Sequence, residues 1–118
     1  MLFVENPECS TCHEARKWLD DHGFEYENRN IIEDGLSASE LRNWQLASGR
    51  GVGRFINGDS KLFRETDLRA RIKCMSNIQL FQLLASDGTL VNCPILVDEK
   101  TVLVGFDEQE WAGKLLDS

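Results

Sequence analysis

Two cysteines in the run Cys9-Ser10-Thr11-Cys12 are the most chemically informative residues of the chain. Thiols at this spacing serve redox exchange or form half of a four-ligand metal site. No second CxxC and no HxxxH follows, so the other half of a metal site is missing and no metal is expected. Cys9 stands immediately before a predicted helix. Free N–H groups and the helix dipole there favour a thiolate, which lowers a cysteine pKa from about 8.5 to between roughly 3.5 and 7.5. Cys12 falls in the first turn, with its side chain directed back toward Cys9. Cys9 is therefore expected to be the nucleophile and Cys12 the resolving thiol that breaks a mixed disulfide. Ser10 and Thr11, with their backbone amides, complete the expected substrate-binding turn.

Other residues bear on the same chemistry. Cys93 immediately precedes Pro94, one of only two prolines. It reads either as a third redox or metal-binding thiol near Cys9 or as a small apolar side chain filling a strand position, and the second is expected. Cys74 reads as a core residue or an idle thiol. His13, next to Cys12, either supports the thiolate or faces solvent, and solvent is expected.

The elements that must position these residues follow from periodicity. Leu2-Phe3-Val4 is a short apolar run ending at Asn6-Pro7 and reads as a buried strand. Cys12, Ala15, Trp18, Leu19 and His22 recur at helical steps, with Ser10 as the expected N-cap and Gly23 closing the helix. Phe24 to Ile32 reads as a second strand, parallel to the first. Ser37-Ala38-Ser39-Glu40 and Ser76-Asn77-Ile78-Gln79 are capping boxes. The first opens a helix that stops near Gly49. The second opens an apolar helix (Ile78, Leu80, Phe81, Leu83, Leu84) ending near Asp87-Gly88. Short helical turns are expected between Gly51 and Leu68. Ile95 to Val97 and Thr101 to Val104 form a hairpin, and Asp107 caps a closing helix through Trp111 and Leu115. The order βαβ, helices, ββα around four strands is that of an α/β, thioredoxin-like three-layer fold. It has a four-stranded mixed sheet and a mostly helical insertion at about 36–75, in one domain spanning 1–118.

Size and charge narrow the function classes. A chain of 118 residues makes one domain that buries about two-thirds of its surface, enough for an unstapled core. Four cysteines in such a chain point to redox or metal chemistry rather than a disulfide framework. The net charge of −7 argues against direct nucleic-acid binding. Arg50 to Lys73 is nevertheless a basic island, seven bases against three acids, in which Arg54, Lys61 and Arg64 stand. Such an island suits an anion or an acidic partner, but a solvated helical face is expected. No apolar run has the ~18 residues of a membrane span, and the start of the chain lacks a signal-peptide pattern, so a cytoplasmic protein with no membrane partner is expected.

Taken together, Asn6-Pro7-Glu8-Cys9-Ser10-Thr11-Cys12, Leu84 to Leu90, Pro94-Ile95-Leu96-Val97-Asp98 and Val104-Gly105-Phe106 resemble the arsenate reductase/Spx family over essentially the whole chain. The resemblance implies a cis peptide at Pro94, which would face Cys9 and shape the substrate groove with Cys93 beside it. Glutathione or thioredoxin would serve as electron donor, with no bound cofactor. Arsenate reductases of this type use one cysteine, matching Cys9, and hold the oxyanion with arginines. The corresponding positions here carry Asn57, Cys93 and Gly105 or Phe106. The leading expectation is therefore a thiol–disulfide oxidoreductase or redox-responsive protein acting on protein or low-molecular-weight disulfides. The alternatives are an Spx-like redox-switched regulator of the RNA polymerase α subunit and an arsenate reductase in which Arg54 or Arg64 substitutes. Spx proteins share Val104 to Glu108 in similar form, but carry an arginine beside the proline and a longer basic tail, where this chain ends at Asp117-Ser118.

Overall fold

Period-two alternation in three short apolar strands builds the centre of the molecule, a computed structural model that describes residues 1–58, 67–99 and 101–116. Strand β1 (Leu2–Glu5) pairs in parallel with β2 (Glu27–Asn30) and antiparallel with β3 (Ile95–Val97), which pairs antiparallel with β4 (Val102–Val104). The strand order is β2-β1-β3-β4. The register aligns Phe3, Leu96 and Leu103 on one face of the sheet. Val4, Ile95 and Val104 align on the other.

Each face carries its own helical layer. Phe3, Leu96 and Leu103 pack against Ala15, Trp18 and Leu19 of helix α1 (Ser10–Asp21) and Trp111 of helix α5 (Glu108–Leu115). Trp18 and Trp111 meet edge to face at 6.0 Å. The opposite face is covered by Leu41 and Trp44 of α2 (Ala38–Ser48) and by Leu80, Phe81 and Leu84 of α4 (Asn77–Ser86). These three layers are the expected α/β architecture. Within the insertion, a 3-10 turn at Val52–Phe55 and helix α3 (Leu68–Ile72) follow α2. Lys61 and Arg64 of the basic island lie outside the described residues.

Local signals held where their partners are local. Ser37 and Ser76 form complete capping boxes with Glu40 and Gln79. Gly49 takes the left-handed conformation that ends α2, at φ 70°. Asp107 accepts from the amides of Gln109 and Glu110. Three details differ from expectation. The second strand shrinks to Glu27–Asn30 because its ladder runs only along four-residue β1; Phe24 and Tyr26 pack beneath the sheet from the preceding loop. Ile78 is exposed, because α4 turns Leu80, Phe81 and Leu84 inward. The N-cap of α1 is Cys9, not Ser10, which is already helical. Among the described residues, no helix is long and apolar enough to cross a membrane.

Candidate active site

The site forms where β1 ends and α1 begins. The chain leaves Glu5 through a tight turn closed by Cys9 N–H donating to the Asn6 carbonyl at 2.9 Å. The exposed His13 ring donates through Nε2 to the Pro7 carbonyl at 2.7 Å and so fastens this loop to the helix. His13 therefore braces the Cys9 loop, a role not anticipated from its position beside Cys12.

Cys9 is half-buried at the helix N-cap and Cys12 is fully buried one turn on. Most of α1 packs on the face of Phe3, but Cys12 overhangs the end of the sheet and joins the core of the opposite face, with Cys9 packed against it. Ser10 is exposed and Thr11 half-buried, both in the first turn.

Cys93 comes from the start of β3, the strand beside β1. The ladder's last pair, Val4↔Ile95, brings the Cys93–Pro94 segment that precedes Ile95 to the end of β1. The Cys93–Pro94 peptide is cis. Pro94 is fully buried and its carbonyl accepts from Gly105 N–H at 2.8 Å, so it supports the site from within rather than lining an open groove. Cys93 is buried in the same apolar cluster as Cys12, close enough for the two thiols to interact. It does fill a strand-end position in the core, as expected. It also contacts a site thiol, and that thiol is Cys12 rather than Cys9.

The electrostatics differ from the helix-dipole expectation. Burial pushes the Cys9 pKa up, above the usual thiol range. The amides of Cys12 and Thr11 face the sulfur and pull the other way, but no side-chain hydrogen bond of cap geometry forms, and the neighbouring Cys12 thiol adds to the rise. Cys12 is held protonated even more firmly, first by the neighbouring Cys93 thiol and then by burial. In the reduced protein the pair is thus a store of protonated thiols.

Two groups flank the site, of which Arg54 carries a sequence signal, in the basic island, and Glu5 carries none. Glu5, at the end of an apolar strand, is buried; its Oε1 accepts from Arg16 at 3.1 Å and Asn28 at 3.0 Å, while Oε2 has no partner among the described residues. Arg54 Nε donates to the Val104 carbonyl at 3.3 Å, next to the Gly105–Pro94 bond, which brings this arginine to the closing strand. Asn57 Nδ2 donates to the Thr89 carbonyl at 3.2 Å. Cys74 is exposed, away from the core. Among the described residues, no three His, Cys, Asp or Glu side chains are grouped to hold a metal ion.

Comparison with known proteins identifies the family. The model of the ArsC family matches residues 4–113. The chain belongs to the ArsC family. Its ArsC-family relatives include the uncharacterized protein YusI of Bacillus subtilis (strain 168), 36% identical over 94% of each chain. They also include a global transcriptional regulator, Spx, of Listeria innocua, 33% identical over 93% of this chain and 82% of the regulator. Among solved structures, an ArsC family related protein from Bacteroides fragilis superposes with a TM-score of 0.87 at 40% identity, covering 93% of this chain and 94% of the other. The ArsC-family fold thus supplies the mixed sheet and helices on which a thiol-based redox or regulatory role is built.

Proposed function

We propose that this ArsC-family protein is a thiol–disulfide oxidoreductase in which Cys9 is the nucleophile and Cys12 the resolving thiol. The single observation that supports it is the pairing of a half-exposed thiol at a helix N-cap with a fully buried thiol one turn away. In the first half-reaction the Cys9 thiolate attacks a disulfide of a protein or small-molecule substrate. One substrate thiolate leaves and takes up a proton, and a mixed disulfide remains on Cys9. Cys12 then gives up its proton and attacks the Cys9 sulfur, expelling the second substrate thiol. The Cys9–Cys12 disulfide forms as the substrate gains two electrons. The amides of the Ser10–Cys12 turn bear on the thiolate and leaving group, and Pro94 backs the site. Glutathione or thioredoxin would return the electrons.

Trapping separates the roles. Cys12→Ser should accumulate a mixed disulfide at Cys9 with oxidised glutathione, and Cys9→Ser should not. Equal accumulation in both would remove the assignment. A redox titration then distinguishes donors, since a potential of about −200 to −230 mV marks glutathione exchange and a much lower one a thioredoxin-like couple.

A second reading is favoured by the similarity to Spx. In it the Cys9–Cys12 pair switches binding to the RNA polymerase α subunit. Pull-down with that subunit in reduced and oxidised states tests it. Binding in one state without disulfide turnover would replace the enzyme reading.

A further inference from the structure

At the end of β1, Cys12 stands between two other thiols, and the three do not converge as metal ligands would. Cys12 interacts with the Cys9 thiol toward the surface and with the Cys93 thiol toward the interior. Cys12 and Cys93 belong to one buried cluster against which Cys9 packs. The sheet independently brings the two segments together: Ile95, two residues after Cys93, pairs with Val4 near the end of β1, from which the Cys9 loop departs. We propose that Cys93 is a second resolving thiol, which moves the disulfide inward from Cys9–Cys12 to Cys12–Cys93 and returns Cys9 as a free thiol. This rests on the oxidoreductase reading above and extends it.

The step is a balanced exchange that needs no external oxidant. The Cys93 thiolate attacks the Cys12 sulfur of the Cys9–Cys12 disulfide. The Cys12–Cys93 bond forms as the Cys12–Cys9 bond breaks, and the departing Cys9 thiolate takes the proton that Cys93 gave up. Cys9 is the thiol that departs. It is the least buried of the three, so its thiolate is the best solvated on leaving. The product keeps one disulfide in the core, shielded from direct attack by a reductant. Cys9 is meanwhile free to attack a second low-molecular-weight disulfide. Because Cys12 is then engaged, that second mixed disulfide has no internal thiol to resolve it and persists.

The test uses the full chain carrying Cys74→Ser, which removes the exposed bystander thiol. The protein is treated with oxidised glutathione, quenched in acid, alkylated with N-ethylmaleimide and mapped by peptide mass spectrometry. The expected result is a Cys12–Cys93 disulfide, with Cys9 carrying glutathione or the maleimide. Adding Cys93→Ala should abolish both that disulfide and the retained glutathione, leaving Cys9–Cys12. In Cys9→Ser, diamide should join Cys12 directly to Cys93, which checks the juxtaposition without the Cys93 variant. A Cys9–Cys12 disulfide with Cys93 fully alkylated would overturn this inference and leave the oxidoreductase reading intact. Cys12 alkylated throughout would overturn both.

Discussion

Cys12, fully buried in the first turn of α1, shares one apolar cluster with Cys93 at the threshold of β3. This packing joins the CxxC helix to the strand that follows the insertion. The neighbouring Cys93 thiol and burial make Cys12 hard to ionise.

The first prediction concerns the reactivity of Cys9. Because its pKa is raised, mainly by burial, less of it is thiolate at pH 7 than of a free cysteine. In Cys74→Ser, iodoacetamide should therefore modify Cys9 more slowly than a model thiol. The rate should climb about tenfold per pH unit through pH 7 to 8.5, without a plateau in that window. Cys12→Ala removes a neighbour that raises the Cys9 pKa and should accelerate the reaction at pH 8. A plateau below pH 7 would show that the helix terminus outweighs burial.

Stability of the reduced protein should fall in alkali. The Cys12 pKa is raised in the folded state, so its contribution is complete below the unfolded thiol value of about 8.5. Above that pH unfolded chains lose the proton while folded ones keep it. Stability should then decline by up to about 1.4 kcal/mol per pH unit. Urea titrations between pH 7 and 10 would show the slope, and Cys12→Ala should flatten it. Tyr26, pushed up to about 12 first by burial and then by its hydrogen bond to Asp20, adds nothing below pH 9.

The capping box of α2 should respond at both of its partners. Ser37 accepts from Glu40 N–H at 3.0 Å, and Glu40 also holds Arg29 at 2.7 Å. Ser37→Ala should cost about 1 kcal/mol in urea denaturation. Burial alone would raise the Glu40 pKa, but Arg29 and Ser37 outweigh it and hold the carboxyl below its usual value. Its stabilisation is present above the unfolded value of about 4.3 and is lost as pH falls through the lower folded value. Arg29→Ala should reduce this acid sensitivity.

Arsenate should be a poor substrate. Asn57 and Cys93 supply no guanidinium, the Asn57 amide is held by the Thr89 carbonyl, and the Arg54 Nε is already engaged by the Val104 carbonyl. The expected outcome is no significant glutathione-dependent arsenate reduction. Robust turnover that disappears in Arg54→Ala would show that the free end of this guanidinium binds the oxyanion.

Much of the molecule was determined by short-range pattern. The caps at Ser37, Ser76 and Asp107 depend on groups two or three residues away, and the Phe3/Val4 alternation requires only a sheet to act on. The CxxC pair is local in the same sense, since one helical turn brings Cys12 back to Cys9. What depended on distant chain was decided by tertiary structure. The length of β1 cut the second strand to four residues. The inward face of α4 left Ile78 in solvent. Burial, which no spacing encodes, reversed the expected direction of the Cys9 pKa. Pairing Cys12 with Cys93 required the β1–β3 register, a non-local hydrogen-bond ladder that sets the end of one strand against the start of another.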